Sequence, residues 1–293
     1  YNQHMVTIFG MEYSWAVVIT GIILTIAVAM VLIGGLQRIS KVAEVIVPFM
    51  AILYVVTALI ILICNITKIP AAIVTIVQSA FGARQIAGGL AGFAVVKLSM
   101  RNGIARGIFS NESGIGSAPI AAAAAHTDSP AHQGLISMLG TVIDTLIICT
   151  MTGLVIVITG ANNIEGLEGV AITTKAFQLG LPFPDQVASF VLMVCLIFFA
   201  FTTILGWDYY SERCLDYLTK HNKKKVLIYR WIYILCVFIG PYMTVKAVWT
   251  IADIVNGLMA FPNLIALLAL NGVVVAETKL YFDSLDKKPK AKK

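Results

Sequence analysis

Apolar residues run along this chain in blocks of about twenty to thirty, parted by short polar joints, and the blocks set the element count. After a mixed lead-in over residues 1–13, runs at 15–36, 42–64, 93–125, 134–160, 187–210, 226–245 and 251–276 each reach the roughly 20 residues that a helix needs to cross a bilayer. The pattern predicts an all-α polytopic membrane protein of about seven transmembrane helices. The first two runs join through Gly34-Gly35-Leu36-Gln37-Arg38-Ile39-Ser40-Lys41, and Pro48 lies near the start of the second. Residues 65–92 keep a helical period but not the length, and predict an amphipathic helix on the outer face. Residues 161–186, with Glu165, Glu168, Lys175, Pro182 and Pro184, predict a large outer loop, partly helical over 169–179 and placed where a lid would sit.

The third run breaks its own pattern. Between Arg106 and His126 it carries a glutamate, an asparagine, three serines and three glycines. Through Ser110-Asn111-Glu112-Ser113-Gly114-Ile115-Gly116-Ser117 a helix loses its good formers and leaves amides and carbonyls free. At membrane depth such a break is tolerated where protein or a water-filled cavity satisfies those groups, the arrangement of broken helices at transporter sites. Two other readings stand beside it: a plain connecting loop at 110–117, or a break at Gly88-Gly89-Leu90-Ala91-Gly92, which would put Lys97, Arg101 and Arg106 on the inner side.

Composition sharpens this picture. Apolar residues make up 59% of the 293 positions and charged residues 12%, with a net charge of +6, a balance foreign to ordinary soluble domains. The cations gather at Arg38 and Lys41, between Arg213 and Arg230, and at Lys287 to Lys293. Seven spans starting outside place all three groups, and the carboxy terminus, in the cytoplasm of an inner-membrane protein. Nothing in this distribution points to nucleic acid. Cys64, Cys149, Cys195, Cys214 and Cys236 are scattered like small hydrophobes, and His4, His126, His132 and His221 lack metal-ligand spacing. No phosphate-binding loop is present.

Candidate chemistry therefore rests on dipoles and oxygens. The amides of Gly114, Ile115, Gly116 and Ser117 suit a carboxylate, and the oxygens of Ser110 and Asn111 suit a cation. Glu112 either faces the ligand or pairs with Arg106. Asp144, inside the fourth run, either marks an ion, proton or substrate path or is a partner of Arg106. Thr202 and Thr203 offer hydroxyl oxygens for an alkali cation, or bond their own helix backbone. Trp207 either walls a pocket or anchors at the interface with Tyr209 and Tyr210. An intramembrane enzyme using Asp144 or Glu112 would need a second carboxylate or a histidine that the runs do not supply.

The stretch GIARGIFSNESGIGSAPIAAAAAHTDSPAHQG, followed by DTLIICTMTGLVIVITG and FAFTTILGWDYYSERCLDYL, resembles the sodium:alanine (alanine or glycine:cation) symporter family, and VPFMAILYV and the Gly-Gly turn before Arg38-Ile39 match as well. The resemblance covers essentially the whole chain. It implies a partial leucine-transporter-like inverted-repeat fold whose first three core helices lie upstream of Tyr1. Residues 1–66 would be the last two helices of the first repeat, 67–278 the second repeat with its broken helix at 110–117, and 279–293 a basic tail. The inverted partner of the family's first broken helix should be a G-x-G followed by small residues, which favours Gly114-Ile115-Gly116-Ser117 over the Gly88–Gly92 break. The resemblance further implies sodium-coupled symport of alanine or glycine, with sodium the ion and the lipid bilayer the setting. Thr202 and Thr203 would belong to a sodium site, and Phe109, Ser110, Asn111, Glu112, Gly114, Gly116, Ser117 and Trp207 would border substrate. Proton-coupled or uncoupled carriage is the alternative. One departure is visible: relatives carry a histidine inside the alanine run where this chain has Ala122.

Overall fold

The computed structural model describes residues 5–8, 11–81 and 90–287, and its backbone divides into two compact units. The Gly88-Gly89 part of the alternative break lies outside the described residues.

The first unit comprises the described residues up to Thr57 together with Phe183–Thr250. Its lead-in is a hairpin, β1 (Met5–Ile8) paired antiparallel with β2 (Met11–Ser14), an element that the mixed sequence of 1–13 did not announce. Helix α1 (Trp15–Ile33) starts at Ser14, whose side chain accepts from the Ala16 amide. Its 19 residues are uncharged and span about 29 Å, close to the hydrocarbon thickness of a bilayer. It ends at Gly34, and Gly35 turns the chain with φ +73°, while Arg38 reaches back to donate to the Met30 carbonyl at 2.8 Å. Helix α2 (Leu36–Cys64) follows and runs through Pro48.

Two further helices complete this unit, α9 (Asp185–Leu218) and α10 (Lys223–Ile239). Between them Lys220 and His221 both take left-handed backbone, and Asn222 caps α10 by accepting from the amides of Lys224 and Lys225. The core forms where Val28, Val31 and Leu32 of α1 meet Ile39 of α2, Leu205 of α9 and Ile234 of α10.

The second unit holds Ala58–Pro182 and Ile251–Lys293. Helix α3 (Ile69–Phe81) occupies the stretch expected to form an amphipathic helix. Helix α4 (Leu90–Asn111) leads into the break, and only a five-residue helix, α5 (Ala118–Ala122), follows it. The alanine run is thus a short turn of helix and not a long half-helix. Chain entropy explains this: five residues form too few internal bonds to extend without packing, and Ala123 to Ala125 are exposed.

A continuous helix then passes through α6 (Pro130–Thr141), a π-helical segment (Val142–Cys149) and α7 (Thr150–Thr159). The outer-loop region contains α8 (Val170–Gly180), which buries Ala176, Phe177 and Gly180 against α7 and so is a packed element. Helix α11 (Val245–Lys287) closes the chain, passes through Pro262, and extends well beyond residue 276, the expected end of the seventh span.

Six described helical stretches are long and apolar enough to cross a membrane: Trp15–Ile33, Gln37–Cys64, Pro130–Thr159, Asp185–Leu218, Lys223–Tyr242 and Val245–Leu285. Helix α4, counted as part of the third span from its apolar residues, is not among them. Lys97, Arg101 and Arg106 are spaced so that any window long enough to span takes in all three.

Candidate functional site

The interruption falls where the glycines predict it. Helix α4 stops at Asn111, and three of the next five residues take left-handed backbone: Glu112 with φ +52°, Gly114 with +82° and Gly116 with +90°. Glycine tolerates that region freely, but glutamate does not, so Glu112 is held there by its surroundings. Its Oε2 accepts from the Ser117 hydroxyl at 2.8 Å, closing the break on itself, and Ser117 is fully buried. Ile115, within the same break, is buried as well.

Two other helices hold the break from outside. The π-helical segment presents Asp144 and Thr145 toward the end of α4. Ser110 donates to Asp144 Oδ2 at 2.6 Å, and Thr145 donates to the Asn111 side-chain oxygen at 2.9 Å. A π turn places one more residue in the circuit than an α turn, which lets two adjacent residues face the same neighbour. From α11, Asn263 donates its side-chain amide to the Gly114 carbonyl at 3.0 Å. Gly116 lies against the same asparagine, and a Cβ there would come within 3.1 Å of its side chain. Arg106 pairs with Asp253 of α11 and stacks over Phe109, with its guanidinium carbon 5.8 Å from the ring centre.

The partners proposed from sequence are therefore re-sorted. The structure shows Asp144 bonded to Ser110, Glu112 to Ser117 and Arg106 to Asp253. Sequence reasoning missed Asn263, Thr145 and Asp253. An asparagine directly after a proline inside an apolar run was the available signal for the first. Beside the break, a cleft of about 520 Å³ opens between α5 and α6, lined mostly by small residues such as Ala118, Ala122, Gly134 and Ser137, together with Pro119 and Gln133. Its size falls in the range of small-ligand pockets.

The remaining sequence candidates belong to the first unit, on α9. The Thr202 hydroxyl donates to the Phe198 carbonyl at 2.9 Å, the helix-internal bond common for threonine. That bond uses the hydrogen and leaves lone pairs on the oxygen. Thr203 is exposed. Trp207 is half-buried, edge-on to Tyr210 with ring centres 5.8 Å apart.

Comparison with known sequences decides the family. A family profile described as the sodium:alanine symporter family matches residues 2–293. The chain belongs to the sodium:alanine symporter family. Members of this symporter family are transporters, not enzymes, and with six helices among the described residues long and apolar enough to span, the chain is a multi-pass membrane protein. It is 53% identical to an uncharacterized transporter of Haemophilus influenzae, over 93% of this chain and 59% of that protein. It is 45% identical to a sodium/alanine symporter of Methanococcus maripaludis, over 90% of this chain and 56% of the relative. A probable sodium/glutamine symporter of Bacillus subtilis is 39% identical, over 89% and 53% respectively. The chain thus spans a little over half the length of the curated relatives it matches.

Proposed function

We propose that this symporter-family chain forms part of a secondary active transporter that carries alanine or glycine into the cell together with sodium, by alternating access. The single observation that carries the reading is the broken helix at Glu112–Ser117, braced by side chains of the π segment and α11. It supplies oriented backbone dipoles without any reactive group, which is what a carrier of zwitterions needs. The names of the relatives supply the substrate class: alanine in one, glutamine in another. Alanine or glycine is the choice that the sequence resemblance supports, with a sodium/alanine symporter among the relatives.

In this reading Phe109, Ser110, Asn111, Glu112, Gly114, Gly116 and Ser117 border the amino acid, and Trp207 of the first unit keeps the substrate role that the resemblance implies for it. Thr202 and Thr203 contribute hydroxyl oxygens to sodium, a hard cation that takes oxygen ligands. Thr202 is suited to this because its proton is already donated to its own helix. Asp144 acts by holding Ser110 and so fixes the end of α4. The inverted-repeat architecture and a cytoplasmic carboxy terminus belong to the same proposal. The sodium gradient drives accumulation, since a charge crossing 100 mV is worth about 2.3 kcal/mol.

The test is uptake of labelled alanine into proteoliposomes carrying the full-length gene product, with and without an inward sodium gradient. Gradient-driven accumulation that is lost with Asn111→Ala supports both symport and the site. Uptake indifferent to sodium removes the coupling ion from the proposal, and accumulation unaffected by Asn111→Ala removes the site.

A further inference from the structure

Among the described residues an unusual ionisable group lies on α9 in the first unit. Asp208 is fully buried, and neither of its carboxylate oxygens has a hydrogen-bond partner. It shares a helix face with Leu205 and Glu212, both also buried, directly after the apolar core formed with α1 and α10.

The hydrogen bonds made by the neighbouring donors go to other groups. The Arg230 guanidinium donates through Nε to Glu212 Oε1 at 2.6 Å. Tyr229 donates to the Ser211 hydroxyl at 2.6 Å, Ser211 donates to the Trp207 carbonyl at 2.8 Å, and Tyr233 donates to the Ile204 carbonyl at 2.8 Å. Helix α1 carries no ionisable side chain, and the charged residues of the start of α2, Arg38, Lys41 and Glu44, are exposed or partly exposed at their own positions. The Glu212–Arg230 pair cancels its own charge. Asp208 is therefore a surplus acid in an apolar setting, and an unpaired carboxylate is among the least tolerable groups to bury.

We propose that Asp208 is a proton-binding site. With its proton, the carboxyl makes the cluster neutral and compatible with close packing of α9 on α10. An alkali cation fits less well. It would need a shell of several oxygens, while Ser211 already donates and accepts and Glu212 is held by a guanidinium that repels a second cation. Loss of the proton leaves one net negative charge between the helices and calls for water, so proton occupancy and the packing of α9 are linked. The same helix carries Thr202, Thr203 and Trp207, although the proton site does not rest on the roles proposed for them.

Infrared difference spectroscopy of the full-length protein in lipid tests this directly, read at the carbonyl stretch of protonated carboxyls. The wild type should show a band at neutral pH that disappears on alkalinisation. It should be missing in Asp208→Asn and retained in Asp216→Asn, which alters another aspartate of α9. Asp208→Glu should move the band instead of removing it, and answers the question if the asparagine variant does not fold. Three results overturn the proposal: no such band in the wild type at neutral pH, a band unchanged in the Asp208 variants, or a band abolished by sodium at constant pH, which would make the site one for an alkali cation.

Discussion

Gly114 and Gly116 have the same kind of backbone and different surroundings, so they separate conformational strain from crowding. Both take left-handed φ, but a Cβ at Gly114 meets only Leu264 at 3.9 Å, whereas one at Gly116 meets Asn263 at 3.1 Å. Gly114→Ala should cost about 1 kcal/mol from strain alone, and Gly116→Ala more, about 2 kcal/mol, because Asn263 must also shift. Melting temperatures of the two variants in detergent check the order, and equal losses would show that Asn263 yields freely. At the same scale, Thr203→Ala should raise the sodium concentration needed for half-maximal alanine uptake; an unchanged sodium dependence removes Thr203 from the ion site. The glycines of the break were legible in the sequence because only their residue type was needed. The conformation of Glu112 was not, since it depends on Ser117 folding back onto it.

Elements behave here according to what they pack against. The stretch 169–179, expected to be the partly helical portion of an outer loop, forms α8, and Ala176, Phe177 and Gly180 find a partner surface there. Gly180 is the contact point: an added Cβ would come within 2.6 Å of Ile61 Cγ2 and 3.1 Å of Thr159 Cγ2. Gly180→Ala is expected to destabilise by about 1–3 kcal/mol through overpacking. Ile61→Ala, which empties a buried site, is also costly alone, but the double variant should be more stable than the two losses added together, as thermal unfolding of all three would show. The brace between α4 and the π segment can be weighed the same way. A double-mutant cycle with Ser110→Ala and Asp144→Ala should return a coupling of about 1 kcal/mol, the usual net worth of a hydrogen bond. No coupling would mean that the bond is not maintained in the membrane. Periodicity located these helices well, but it carries no information about which carboxylate meets which hydroxyl across them. That is why Asp144 was legible as an exceptional residue while its partner was not.

For the molecule as a whole, apolar length and charge together decide topology, and α4 is where they disagree. Six described stretches satisfy both criteria, and α4 has the length without the freedom from charge. Topology can be read with cysteines introduced at Ser129 and Asn163, at the two ends of the α6–α7 helix, in a background where the native cysteines are replaced by alanine. If that helix spans, an impermeant thiol reagent should reach Asn163→Cys from outside and Ser129→Cys only from the cytoplasmic side. Labelling of both from one side would withdraw it from the membrane. The π-helical segment inside this same helix has a further consequence for how the sequence can change. Each residue of an α-helix turns about 100°, so deleting one residue from 142–149 would leave a continuous apolar rod that still folds and inserts. The aspartate and threonine that now clasp the end of α4 would swing away from it. Chain length at this point is therefore itself a specification, and a shorter version would be a sound helix aimed in the wrong direction.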